Sequence, residues 1–190
     1  MKVKFCGMTN YDDVKAAIEL GVDFIGFVFY PKSKRFISFE EAKRITERIK
    51  GEVKTVGIFV NQNEDQIKKA VDFLGLDYAQ VYVDVGVKNT IRVYRIKDKL
   101  PEVRKEGLLL FDAYTEKIGG AAKSFNWDML KGFKDKDRLF VAGGINAENV
   151  QKIKSLDLFG VDLVSGIEAY PGKKDISKMK EFLEVARSKR

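Results

Sequence analysis

One thiol, a set of carboxylates and no imidazole define the chemistry open to this chain. Its 190 residues include a single cysteine, Cys6, and no histidine. Ser-His-Asp and Cys-His machineries and His-ligated metals are therefore excluded. A lone cysteine also excludes an internal disulfide framework and a multi-cysteine zinc site. A carboxylate-only metal site stays open, but no EF-hand-like spacing occurs. Proton transfer falls to Asp, Glu, Lys, Tyr or Cys6. Cys6 closes an apolar run just before Gly7. It is either a small core residue or a base, and a base must be the thiolate, with a pKa brought below about 8.5. Asp112 ends the run Leu108-Leu109-Leu110-Phe111. It is either a turn former or a general acid whose pKa those apolar neighbours raise. Arg35 closes the basic run Pro31-Lys32-Ser33-Lys34-Arg35. A guanidinium there is either solvated or a two-pronged grip on a carboxylate. Two glycine corners, Gly143-Gly144 and Ser165-Gly166, either serve turns or let backbone N–H groups approach an anion.

The elements that must position these residues alternate strand and helix throughout. Apolar and β-branched runs predict strands over 3–8, 23–30, 53–60, 77–82, 90–96, 108–112, 138–143 and 161–165. Helical spacing predicts helices over 11–20, 39–50, 63–74, 101–106, 147–155 and 176–190, with a shorter turn over 125–132. Ser38 is the expected N-cap of the second helix, and Asn63 with Gln66 a capping box for the third. Residues 83–89 are too few for a helix and its two loops. Continuous alternation argues a mostly parallel sheet, and eight units without a composition break argue one closed (β/α)8 barrel over residues 1–190. The chain is short for that fold, which typically takes about 250 residues. A shortened or missing helix after strand four accounts for part of the difference. The alternative is an open doubly wound sheet, but strand one is followed by a single glycine rather than a dinucleotide fingerprint.

In either fold the chemistry belongs at the carboxyl ends of the strands, where all the residues above fall. In a barrel, the loops after strands seven and eight frequently hold a phosphate. Alternation also puts Lys4 on the face of Cys6, inside the barrel. A buried lysine needs a partner, and Asp162 on the adjacent strand eight is the candidate. Lys and Arg exceed Asp and Glu by 35 − 28 = 7. The basic residues are dispersed beside acids on helix faces, so they read as a solvated surface rather than a nucleic-acid footprint. No apolar run is long enough to span a membrane, and none marks a secretory signal.

The first half holds Val3-Lys4-Phe5-Cys6-Gly7-Met8-Thr9, Gly26-Phe27-Val28-Phe29-Tyr30 with Pro31 to Arg35, and Val56-Gly57-Ile58-Phe59-Val60-Asn61. The second half holds Ala142-Gly143-Gly144-Ile145-Asn146, Val161-Asp162-Leu163-Val164-Ser165-Gly166-Ile167-Glu168 and Pro171-Gly172-Lys173-Lys174-Asp175. Together these segments resemble the phosphoribosylanthranilate isomerase family. The resemblance implies a single (β/α)8 barrel catalysing the Amadori rearrangement of N-(5-phosphoribosyl)anthranilate to 1-(2-carboxyphenylamino)-1-deoxyribulose 5-phosphate in tryptophan biosynthesis. It implies Cys6 as general base, Asp112 as general acid and Arg35 as ligand of the anthranilate carboxylate. It puts Asp162 near the sugar hydroxyls, and Gly143, Gly144, Ser165 and Gly166 around the phosphate. It implies no metal and no cofactor. The uncovered region after strand four leaves a compact monomer or a homodimer that packs there, and the chain is further expected to be cytoplasmic, with neither nucleic acid nor membrane as partner. The sequence departs from the family after strand four, where Tyr82 stands in place of a usual histidine. It departs again after strand six, where Gly119-Gly120-Ala121-Ala122-Lys123 lacks one turn glycine. Two rivals remain: a different sugar-phosphate isomerase or synthase on a related barrel, and a non-enzymatic phosphate- or RNA-binding protein.

Overall fold

The computed structural model describes residues 1–114 and 124–188. Eight parallel strands close a barrel in sequence order: β1 (Lys2–Phe5), β2 (Phe24–Val28), β3 (Lys54–Phe59), β4 (Tyr78–Val81), β5 (Thr90–Ile96), β6 (Leu108–Ala113), β7 (Leu139–Val141) and β8 (Gly160–Leu163). Lys4 of β1 lies opposite Asp162 of β8, so the last strand pairs with the first.

The first three crossover helices are α1 (Tyr11–Glu19), α2 (Phe39–Arg48) and α3 (Glu64–Leu74). Each begins where a side chain satisfies the orphan N–H groups of its first turn. Asn10 accepts from the Asp13 N–H, and Ser38–Glu41 and Asn63–Gln66 form complete capping boxes. Beyond β3 the cover changes. Residues 82–89 form no helix, as the length of that segment predicts. Val85 and Val87 from this segment pack on the core instead. The expected helix over 101–106 is absent. That segment is held by Arg104, whose guanidinium donates to the carbonyls of Thr90 and Leu108 and whose N–H donates to the Tyr94 hydroxyl. This one side chain ties the segment to the starts of β5 and β6, while Leu100 and Val103 pack on the core. The helical turn before β7 is 3-10 (Trp127–Gly132). The helix after β7 shrinks to α4 (Val150–Lys154), and α5 (Ile176–Arg187) closes the chain. A hairpin that the periodicity does not predict, β9 (Glu168–Tyr170) and β10 (Lys173–Lys174), precedes α5.

Alternation along the strands gives two cores. One lies between sheet and helices, and the other fills the barrel. The amino-terminal end of the interior is plugged by aromatic rings. Phe140 meets Phe24 edge-on at 5.3 Å and Phe159 at 5.0 Å, and Tyr78 lies 5.7 Å from Phe24. Such a plug excludes water from below and leaves only the carboxyl end of the barrel for a ligand.

Candidate active site

Above the aromatic plug the interior turns polar. Lys4 is fully buried, and its Nζ donates to Oδ1 of Asp162 at 2.8 Å, the pairing that the alternation predicts. Cys6 follows Lys4 on the same face, buried at the mouth of β1. Its N–H is tied to the Leu163 carbonyl at 2.8 Å. Room for the thiol comes from the neighbouring strand. A Cβ on Gly26 would stand 2.8 Å from the Cys6 sulfur, so any larger residue there displaces it. Burial pushes the Cys6 thiol up and the Asp162 charge adds to this, while Lys4 and Lys174 pull it down; the balance stays above the ordinary value.

Asp112 is the penultimate residue of β6, two residues beyond Leu110 on the inward face. Burial, reinforced by the charge of Asp162, pushes its carboxyl up to about 6, against pulls from the Ala113 backbone, Arg95 and Lys4. This is the direction a general acid near neutrality needs. Tyr82 reaches the same space from β4. Burial and the charges of Asp112, Cys6 and Asp162 raise its phenol, so it stays protonated. Gln80, one pleat lower, is also buried, and its Oε1 has no hydrogen-bond partner among the described residues.

Arg35 lies in the loop after β2, but its guanidinium is not the open fork that the basic run suggests. Nε and Nη2 bind the two carboxylate oxygens of Glu168 at 2.9 and 2.7 Å. Burial pushes Glu168 up, yet the Arg35 hydrogen bonds and the Lys174 charge carry it below the usual carboxylate range. Lys174 is lowered, chiefly by burial, against the pull of Glu168.

The two glycine corners come together at the far side of the mouth. A Cβ on Gly166 would collide with the Ile145 carbonyl oxygen, so the loops after β7 and β8 touch at backbone level. The first loop is held internally by Asn146 and Asn149. Asn149 donates to the Gly144 carbonyl at 2.8 Å and accepts from the Asn146 N–H at 3.0 Å. The N–H groups of Gly143, Gly144, Ser165 and Gly166 donate to no described residue. Backbone donors left open in two adjoining loops suit a phosphate.

The structure thus brings Cys6, Asp112, Arg35, Asp162 and the two glycine corners to one end of the barrel. The changed strand-six loop, 119–123, lies outside the described residues. Sequence reasoning missed Gly26, Gln80, Glu168 and Lys174. The glycine inside the otherwise bulky run Phe24-Ile25-Gly26-Phe27 was the available signal for the first. Among the described residues no cluster of acidic or cysteine side chains could hold a metal ion.

A closed barrel with paired titratable groups and open backbone donors at its carboxyl end defines the class: a (β/α)8 enzyme acting on a phosphorylated ligand. Residues 3–185 match the family model of N-(5'-phosphoribosyl)anthranilate (PRA) isomerase. The isomerase of Aquifex aeolicus is 36% identical over 203 residues, covering 99% of both chains. The isomerase of Thermotoga maritima is 36% identical over 207 residues, covering 98% of each. The crystal structure of phosphoribosyl anthranilate isomerase from Thermotoga maritima superposes with a TM-score of 0.86 at 33% identity, covering 98% of both chains. A further isomerase structure, in complex with reduced 1-(o-carboxyphenylamino)-1-deoxyribulose 5-phosphate, gives 0.82 at 31% identity, again over 98% of each. The chain belongs to the N-(5'-phosphoribosyl)anthranilate isomerase family. A 3-hexulose-6-phosphate synthase at 19% identity and a TM-score of 0.70 shares the fold alone.

Proposed function

We propose that this chain rearranges N-(5'-phosphoribosyl)anthranilate to the corresponding 1-deoxyribulose 5-phosphate, with Asp112 as general acid and Cys6 as general base. One observation carries the reading. A thiol on β1 and a carboxyl on β6 share the Lys4–Asp162 ion pair as electrostatic neighbour inside one mouth.

In the proposed sequence, protonated Asp112 gives its proton to the ring oxygen, the C1–O bond breaks, and the nitrogen lone pair forms an iminium at C1. Cys6 as thiolate then takes the proton from C2, and the electron pair neutralises the iminium to give an enolamine. C1 takes up a proton and the C2 hydroxyl gives one up, which leaves the ketone. A carboxyl held near 6 supplies the first step at neutral pH. The second step needs the charged form of a thiol whose burial disfavours it. The iminium supplies a positive charge beside the sulfur and also acidifies the C2 proton, so two obstacles fall together. Lys4 contributes a fixed charge beneath the sulfur without exposure to solvent.

The phosphate would lie on the open N–H groups of Gly143, Gly144, Ser165 and Gly166, and the free edge of Arg35 would take the anthranilate carboxylate. Asp162, already bound to Lys4, would turn its second oxygen to a sugar hydroxyl. These remote contacts hold C2 near the base, which converts binding energy into rate. The reaction needs no redox partner and no cofactor. No helix among the described residues is long and apolar enough to cross a membrane. The proposed enzyme is a cytoplasmic biosynthetic one, one barrel per chain, as monomer or homodimer.

The test is a fluorescence assay on freshly prepared phosphoribosylanthranilate. Wild type should consume the fluorescent substrate, and Cys6→Ala and Asp112→Asn should not. Turnover by Cys6→Ala at the wild-type rate would remove the proposed base.

A further inference from the structure

We infer that Glu168 and Lys174 are positioning residues, holding the Arg35 guanidinium and the Cys6 backbone in one fixed relation for a substrate carboxylate. The inference rests on the functional reading above and extends it to two residues that reach no reacting atom.

The hairpin β9–β10 puts Lys174 directly opposite Glu168. Glu168 is 6% exposed, and each of its carboxylate oxygens is engaged. Oε1 accepts from Arg35 Nε at 2.9 Å, from the Gly172 N–H at 3.1 Å and from Lys174 Nζ at 3.1 Å. Oε2 accepts from Arg35 Nη2 at 2.7 Å. The Lys174 side chain is completely buried, and its Nζ donates to the Cys6 carbonyl at 2.7 Å. The stem of Arg35 lies over the next residue, since a Cβ on Gly7 would stand 2.9 Å from Arg35 Cδ. One carboxylate therefore links the arginine, the lysine and, through the lysine, the residue that bears the thiol.

Geometry and charge both follow from this link. The Nε–Nη2 edge of Arg35 is occupied by Glu168, and Nη1 donates to no described residue. The Nη1–Nη2 edge is thus the one left to grip a second carboxylate, and its orientation is fixed because the other edge is clamped. An Arg–Glu pair alone is neutral and attracts no anion. Lys174 leaves the cluster one positive charge in excess, within a site largely shielded from water. The same ammonium fixes the Cys6 carbonyl. The distance between the carboxylate grip and the thiol is then set by folding rather than by the substrate, which is the preorganisation that a proton transfer at C2 requires.

The experiment compares Glu168→Gln and Lys174→Met with wild type, alone and combined with Arg35→Ala. Two readouts are used: steady-state kinetics, and the 15N signal of the Arg35 Nε–H. Glu168→Gln should raise KM for phosphoribosylanthranilate by about tenfold while kcat changes by less than about threefold, and the protected Arg35 signal should disappear. In the Arg35→Ala background the same change should add less than about twofold to KM. Lys174→Met should raise KM and also lower kcat, because it frees the Cys6 carbonyl. An unchanged KM with only a lower melting temperature, or a full additive effect on top of Arg35→Ala, would overturn the inference. If wild type turns over no substrate, the functional reading falls by itself. The clamp is then judged on affinity for reduced 1-(o-carboxyphenylamino)-1-deoxyribulose 5-phosphate, which should drop about tenfold in Glu168→Gln. Equal affinity, or no binding by wild type, would overturn the clamp as well.

Discussion

The two sides of the barrel are built differently. On the side of β1 to β3 and β8, helices of regular length are capped at their starts, and the buried charges are paired: Lys4 with Asp162, Arg35 and Lys174 with Glu168. On the side of β4 to β6, no α-helix follows any strand among the described residues, and loop side chains serve as cover. The buried polar atoms left without a partner, Gln80 Oε1, Arg104 Nε and Trp127 Nε1, all belong to this second side. Asp112 belongs to it too, with a carboxyl that no described cation grips closely enough to offset its burial. A satisfied polar network is rigid, and an unsatisfied one waits for a partner. The first side therefore holds Cys6 and Arg35 in fixed positions. The second holds a carboxyl raised to about 6 and a buried amide oxygen without a partner among the described residues.

The comparison can be broken in several places. The largest effect is expected at the two proposed proton-transfer groups, one on each side. Cys6→Ala and Asp112→Asn should each lower kcat by about 10²–10⁴-fold in the fluorescence assay, the usual worth of a positioned acid or base. Next comes the buried pair beneath Cys6. Lys4→Met leaves Asp162 buried without a counter-charge, and urea unfolding should show a loss of about 3–5 kcal/mol. The double variant Lys4→Met with Asp162→Leu should recover most of it, because the cost lies in the orphaned charge.

A smaller and opposite effect is expected on the second side. The Asp112 carboxyl is raised in the folded state, so the folded state favours its protonated form. Its favourable contribution is present below the unfolded value near 3.9 and is lost as pH rises through about 6. At pH 8 the buried charge costs about 2 kcal/mol, with its partial contact with solvent discounted. Asp112→Asn should therefore be more stable than wild type at pH 8 by up to that amount, and no more stable at pH 3.5, although its kcat is expected to fall. The smallest effect is at a helix start. Ser38→Ala removes one half of a capping box and should cost about 1 kcal/mol without changing KM.

How much of this was legible in the sequence also divides between the sides. Periodicity and caps are local signals, so α1 to α3 and the strands could be read directly, down to the Asn63–Gln66 box. The Lys4–Asp162 pair was legible because alternation fixes the face and closure fixes the neighbour. The segment over 101–106 was misread. Its proline and closing glycine imitate helix punctuation, but the segment is tied by Arg104 to the first residues of β5 and β6, a tertiary contact that hydrophobic period does not encode. Arg35 was read as an open fork because its partner Glu168 is 133 residues away. The β9–β10 hairpin was hidden for a related reason: its strands have three and two residues, too few to show a period. Tyr82 was visible as a departure from the family, and burial next to Asp112 and Cys6 gives that departure a location.

The most direct test of the account is the titration of Asp112 itself, followed by its 13C carboxyl signal in the free enzyme. Asp112 is the point where the open side of the barrel and the proposed chemistry meet. The account predicts a midpoint near pH 6. A midpoint near 4, the value of a solvated aspartate, would leave about a hundredfold less of the protonated carboxyl at neutral pH, and would contradict its proposed role as the acid that opens the ring.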